Sequence, residues 1–129
     1  MALQKRNKIT TVSRGKWAEG LAHSYLCEQG LQFVERNYHS KAGEIDLIML
    51  DQKILTFVEV RYRKNQRYGG SLESINFRKK QRILTTATLY LQAHQWSQQH
   101  PCRFDVVLIS GTTDNPQLRW IADAFRNEN

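Results

Sequence analysis

Two carboxylates set inside apolar, strand-like runs are the groups in this sequence best suited to chemistry. Asp46 lies in Gly43-Glu44-Ile45-Asp46-Leu47-Ile48, and Glu59 lies in Phe57-Val58-Glu59-Val60-Arg61. An unpaired charge among Ile, Leu and Val is costly unless it neutralises itself, and a bound cation is one thing that offsets the cost. Side chains alternate along a strand, so Glu59 and Arg61 share one face while Val58 and Val60 take the other. Two carboxylates, waters and the backbone carbonyl of Val60 make a ligand set suited to Mg²⁺. Arg61, one pleat from Glu59, is placed to neutralise a phosphate or orient water. An ion-pair network of Asp46 and Glu59 with Arg61 and Arg103 on a half-exposed sheet is the competing reading. Register decides whether the two acids meet. If Asp51-Gln52-Lys53 is a three-residue loop, Asp46 falls opposite Val58, and a bulge is needed to bring it to Glu59.

The elements that must hold these groups follow from periodicity. Over residues 14–29, Trp17, Ala18, Leu21, Ala22, Tyr25 and Leu26 recur on one helical face. Ser13 is the expected N-cap and Gly30 the expected stop. Glu19 borders that apolar stripe and can look over the edge of a packed sheet. Residues 31–36 read as a strand with Leu31, Phe33 and Val34 inward, and 37–42 as a loop. Residues 43–50 and 54–63 form a hairpin rich in β-branched and apolar side chains. A polar loop containing Tyr68-Gly69-Gly70-Ser71 precedes a long helix over 74–98, and residues 103–109 are a strong final strand. Residues 118–125 read as a short edge strand running into a turn or short helix. The order α-β-β-β-α-β predicts an α/β (α+β) domain. Its first three strands form an antiparallel meander, the fourth joins in parallel after a helical crossover, and helices cover the mixed sheet. Trp17 and Trp96 are expected in the core. Residues 1–12 read as a flexible arm and 13–129 as one domain.

Charge narrows the partner. The chain has 129 residues and a net charge of +7, which favours a polyanion. Arg61, Arg63, Lys64, Arg67, Arg78, Lys79, Lys80 and Arg82 fall within residues 61–82, where Glu73 is the only acid. Several crowd the start of the second helix, where the macrodipole disfavours cations, a local cost that bound phosphates would offset. Tyr62, Tyr68 and Phe77 are aromatics able to stack on bases. Cys27 and Cys102 lie in no C-x-x-C pattern, which predicts reduced thiols and a cytoplasmic protein. No run approaches membrane-spanning length. His23, His39, His94 and His100 show no zinc-ligand spacing. No P-loop, nucleophile elbow or dinucleotide fingerprint is present. Asp105 is read as a structural partner of Arg103 or Arg61, and Glu44 as a group behind Asp46 or as strand-start surface.

Gly15-x3-Glu19 on a helix, the Gly43–Ile48 and Phe57–Arg63 segments, and Arg103-Phe104-Asp105 together resemble the uncharacterised bacterial YraN family over residues 14–125. That family is similar to the PD-(D/E)xK, or restriction-endonuclease-like, superfamily, nearest to archaeal-type Holliday-junction resolvases. The resemblance implies an α-β-β-β-α-β nuclease core and metal-site roles for Asp46 and Glu59, with Glu19 as the helix carboxylate. It further implies Mg²⁺ or Mn²⁺ as cofactor, DNA as substrate, a place in repair or recombination, and a homodimer. One position departs from the superfamily pattern, because Arg61 stands where that pattern has Lys. A guanidinium binds phosphate through a fork, whereas an ammonium is a compact donor able to act beside a nucleophilic water. Three outcomes follow: Arg61 only stabilises charge, another group such as Lys79 serves as the base, or the domain binds nucleic acid without cleaving it. The sequence therefore points to a metal-dependent endonuclease of branched or structured DNA, with a non-catalytic nucleic-acid-binding domain of nuclease fold as the alternative.

Overall fold

A computed structural model describes residues 11–64, 72 and 75–127. The elements are α1 (Thr11–Glu28), β1 (Gln32–Ser40), β2 (Gly43–Asp51), β3 (Ile54–Arg63), α2 (Phe77–Ala93), a 3-10 turn (Gln95–Gln99), β4 (Cys102–Gly111) and β5 (Pro116–Ile121). The five strands form one mixed sheet in the order β1-β2-β3-β4-β5. β1, β2 and β3 are antiparallel neighbours, β4 lies parallel to β3 after the α2 crossover, and β5 returns antiparallel to β4. The expected α-β-β-β-α-β core is present, and β5 extends it by one strand.

The sheet is covered on both sides. Ala18, Ala22 and Leu26 of α1 pack with Leu47, Met49, Val58, Val107 and Ile109 on one face. Ile83, Leu84, Ala87 and Tyr90 of α2 pack with Ile48, Leu55, Phe57 and Val106 on the other. Strands buried on both faces read as continuous apolar runs, and the 47–49 and 106–109 segments do. α1 stops as its sequence dictates. Gly30 has φ 103°, the Leu31 N–H reaches Leu26 O at 3.0 Å, and the Gly30 N–H reaches Cys27 O at 3.0 Å. This paired closure needs a left-handed residue that only glycine adopts cheaply.

Several expectations are corrected. α1 begins at Thr11, two residues before Ser13, which is therefore not its cap. β1 runs on to Ser40 through residues expected to be loop. Asn37 adopts φ 52° within it, and Tyr38 is fixed edge-on to Tyr90 of α2 at 4.9 Å. A bulge between Phe33 and Glu35 turns Phe33 outward, 42% exposed, and leaves Val34 to pack inward. α2 is shorter than expected. Asn76 caps it by accepting the Lys79 N–H at 2.8 Å, and it ends at Ala93, where His94 leaves helical geometry and stacks on Tyr90. The remaining residues to Gln99 tighten into the 3-10 turn, and this brings Trp96 to the surface, 42% exposed. Arg67 and Tyr68, and the rest of the polar loop at 65–71 and 73–74, lie outside the described residues, as do residues 1–10 of the expected arm.

Candidate functional site

Register brings the two acids together without a bulge. Asp51 belongs to β2 and pairs with Ile54, so the turn is two residues, Gln52 and Lys53, with Gln52 at φ 58°. Tight two-residue turns demand such left-handed backbone. The ladder then runs through Leu50↔Leu55, Met49↔Thr56 and Ile48↔Phe57 to Leu47↔Val58, where it stops. One step further stand Asp46 and Glu59. In place of the next ladder bond, the Val60 N–H donates to Asp46 Oδ2 at 2.8 Å. Ile45 and Leu47 flank Asp46, yet they pack into the clusters on opposite faces of the sheet. The pleat therefore twists at Asp46 and turns its carboxylate sideways toward β3.

Both carboxyls are buried, Asp46 at 7% and Glu59 at 4% exposure. Burial is the main cause that raises Asp46 well above the ordinary carboxylate range, and the neighbouring Glu59 adds to it. Burial also raises Glu59, against the lowering effects of Lys79 and Arg61 and of a side-chain hydrogen bond with Asp46. The two carboxyls thus disfavour a second negative charge between them, and both are held above their ordinary range. Two cations meet Glu59 on the α2 face of the sheet. Lys79 Nζ lies 3.5 Å and Arg61 Nη1 3.8 Å from the same oxygen, Glu59 Oε2. Arg61 is the strand residue one pleat on, whereas Lys79 arrives from the first turn of α2, twenty residues away in sequence.

Glu19 lies on α1, across the sheet from Lys79. It hydrogen-bonds Asn37 at the bend of β1, and burial raises its carboxyl, with Glu44 adding to the rise. Asp46 feels Glu19 electrostatically. Among the described residues no group of three His, Cys, Asp or Glu side chains comes together closely enough to share one ion. The arrangement is thus a carboxylate pair with Glu19 nearby. The donor chemistry of that pair fits a hard dication: it offers only oxygen atoms, sits in the interior, and is destabilised by its own second charge. Val60, expected to contribute its carbonyl, meets the pair through its N–H.

The other predicted residues separate clearly. Arg78, Lys79, Lys80 and Arg82 share the first turns of α2, with Arg78 and Arg82 exposed. Arg63 closes β3 and donates Nη1 to Tyr62 O at 2.9 Å, and Lys64 is exposed beside it. Asp105 is structural. It is fully buried, accepts Arg103 Nε at 2.8 Å and Nη2 at 3.0 Å, and also accepts Trp120 Nε1 and the Asp123 N–H, both at 2.9 Å. Arg103 further reaches Asp51 at 3.0 Å. The expected Arg103 partnership is therefore with Asp105 and Asp51, not with Asp46 or Glu59. Three residues near the site gave no readable signal in the sequence. These are Asn37, His39 and Arg36, which lie in a segment expected to be strand end and loop. His39 Nδ1 sits 3.1 Å from Glu44 Oε1, and Arg36 Nη2 lies 2.9 Å from His23 Nδ1.

No helix among the described residues is long and apolar enough to cross a membrane. Residues 18–109 match the model of the uncharacterised protein family UPF0102. A UPF0102 protein of Stutzerimonas stutzeri (strain A1501) is 47% identical over 115 residues, covering 89% of this chain and 96% of that protein. One from Pseudomonas syringae pv. syringae (strain B728a) is 47% identical over 120 residues, 92% of this chain and 97% of its own length. One from Nitrosococcus oceani is 46% identical over 115 residues, covering 89% and 93%. The matched segment spans Glu19, Asp46, Glu59, Arg61, Lys79 and Asp105, and with this coverage and identity the chain belongs to the uncharacterised protein family UPF0102, the YraN family.

Proposed function

We propose that this protein is a divalent-metal-dependent endonuclease acting on branched or otherwise structured DNA. The observation that carries the reading is the buried Asp46–Glu59 pair with an ammonium and a guanidinium beside it on Glu59. The element order and the placement of the acids agree with what the resemblance to PD-(D/E)xK nucleases implies. Asp46 and Glu59 would hold Mg²⁺ or Mn²⁺, which supplies a Lewis acid for the phosphoryl oxygen and a more acidic water. The Val60 N–H fixes the aim of Asp46. Lys79 provides the compact ammonium that Arg61 does not, close to Glu59 and able to orient a water. Arg61, charged at neutral pH, stabilises negative charge gathering on the phosphate. Glu19, held by Asn37, shapes the field at Asp46. Arg63, Lys64, Arg78 and Lys80, with Arg67 from the segment not described, contact the phosphate backbone without reading sequence, while Lys79 and Arg82 meet a phosphate of the strand that reaches the acid pair.

The test is a cleavage assay with Mg²⁺ or Mn²⁺ on four-way junction, flap, single-stranded and duplex DNA, with Asp46→Asn purified in parallel. Cutting of structured substrates by wild type and none by the variant is the expected result. Equal cutting by both would assign the activity to a contaminant and remove the reading. One observation favours a second reading, a non-catalytic binding domain: Lys79 and Arg61 already offset the charge of Glu59. Binding without cutting under every metal condition would select it. Coordinated incision of a four-way junction needs two sites, so the reading includes a homodimer, checked by sedimentation with and without junction DNA.

A further inference from the structure

A cleft of about 360 Å³ opens between the β1–β2 turn and α2, and Lys79, whose ammonium reaches Glu59, lines it. We propose that this cleft receives one unpaired nucleotide next to the phosphate held at Asp46 and Glu59, so that the protein discriminates in favour of DNA with an unpaired base at the branch point. The inference rests on the nuclease reading for its neighbour, but it can be tested by binding alone.

The cleft is built in advance. Ser40 Oγ accepts the Ala42 N–H at 3.0 Å and lies 3.1 Å from Thr86 Oγ1 of α2, so the turn is pinned to the helix. Gly43 keeps the gap narrow. A Cβ there would stand 3.4 Å from Arg82 Cβ and 3.5 Å from Thr86 Oγ1, and its φ of +154° disfavours any side chain.

The walls differ in character. Lys79 and Arg82 line the helix side. As i and i+3 neighbours they stand about 5–6 Å apart at Cβ, close enough to serve one sugar–phosphate step. His39 and Glu44 line the strand side, paired at 3.1 Å. The Glu44 carboxylate repels phosphate, so the phosphate takes the cationic wall, and the base meets the donor and acceptor atoms of the opposite one. Lys79 is common to both places, since its side chain lines the cleft and its Nζ lies 3.5 Å from Glu59 Oε2. A strand with a phosphate at the acid pair therefore has its neighbouring nucleotide at the cleft. The volume is at the small end of the roughly 300–1,000 Å³ of ligand pockets and admits no base pair. A paired base would first have to leave its stack, which costs a few kcal/mol, whereas a flap, gap or open junction offers it unpaired.

The experiment measures binding of the full chain with Ca²⁺, a hard dication that lets the acid pair accept a phosphate, by fluorescence anisotropy, to a flap, a short single strand and a nicked duplex of the same sequence. The proteins are wild type, Arg82→Gln and His39→Ala; both substituted residues are exposed, so the fold is retained. The expected result is tighter binding of flap than nicked duplex by wild type. Arg82→Gln should then lose about tenfold on flap and single strand, and less than twofold on nicked duplex. His39→Ala should narrow the flap preference in the same direction. Equal loss on all three DNAs would make Arg82 a general phosphate contact and overturn the cleft. No wild-type preference for unpaired DNA would overturn it as well. A preserved preference in a protein that never cuts would instead overturn the nuclease reading and leave the cleft standing.

Discussion

Replacing Asp46 separates a metal-holding carboxylate from a structural ion pair, and the structure supplies the magnitudes. Asp46 Oδ2 accepts the Val60 N–H at 2.8 Å, and the residue is 7% exposed. Asp46→Ala leaves that buried donor without an acceptor, at a cost of about 1–3 kcal/mol. Asp46→Asn keeps an oxygen for Val60, offers an amide donor to Glu59 and removes the like charge. Without metal, the Asn variant should therefore melt at or above wild type at neutral pH, and the Ala variant clearly below it. One kcal/mol corresponds to roughly 3–5 °C for a chain of this size, so the two variants should differ by about 3–15 °C. Mn²⁺ at a hundredfold excess over its Kd should then add about 2.7 kcal/mol to wild type and little to either variant. Circular-dichroism melting with and without millimolar Mn²⁺ reads all three proteins. An Asn variant as unstable as the Ala variant, with a wild type indifferent to Mn²⁺, would exclude a metal-holding role for Asp46. The ionised carboxylate would then be a structural partner, and the metal reading would go with it.

Further outcomes follow from the same geometry. Burial holds Asp46 and Glu59 above their ordinary values of 3.8 and 4.5, so the folded chain retains protons that the unfolded chain has lost. Metal-free stability should therefore fall as pH rises from the ordinary carboxylate range through the folded-state values, and Asp46→Asn should remove most of that slope in urea titrations. Mn²⁺ affinity should rise with pH over the same window, because binding releases the proton of the pair; a pH-independent Kd by calorimetry would contradict this. Reversing Lys79 and Lys80 to Glu should weaken binding of all DNA sequences alike and reduce the slope of log K against log salt by about 1.8, from two lost phosphate contacts. Asp105→Asn should cost about 1–3 kcal/mol in denaturant unfolding, because it takes the charge from a fully buried acceptor of Arg103, Trp120 and the Asp123 N–H, while Asp51 still holds Arg103. It should leave the activity per folded molecule unchanged, and a selective loss of activity would move Asp105 into the site.

The element order, the covered faces and the setting of two acids inside apolar strands were legible in local sequence patterns. These rest on local periods, two along a strand and near 3.6 along a helix, and on the mismatch of a charge with its apolar neighbours. Gly30 was legible as a helix stop for the same reason: one residue's backbone freedom is a local property. Register was not local. Whether Asp51 belonged to the turn or to β2 shifted every pairing by one, and only the left-handed Gln52 and the packing of Leu47 and Ile48 on opposite faces settled it. The bulge at Phe33, the outward Trp96 and the short α2 were also decided by what packs against Tyr38 and Tyr90 across the sheet. Tertiary structure alone gave Glu59 its second cation. From sequence, Lys79 was one group able to stand in for the missing lysine, but nothing in its spacing specifies that the α2 crossover lays its ammonium 3.5 Å from a buried carboxylate on β3. The cleft beside it has the same origin, since its two walls are brought together by sheet pairing and helix docking between segments some forty residues apart.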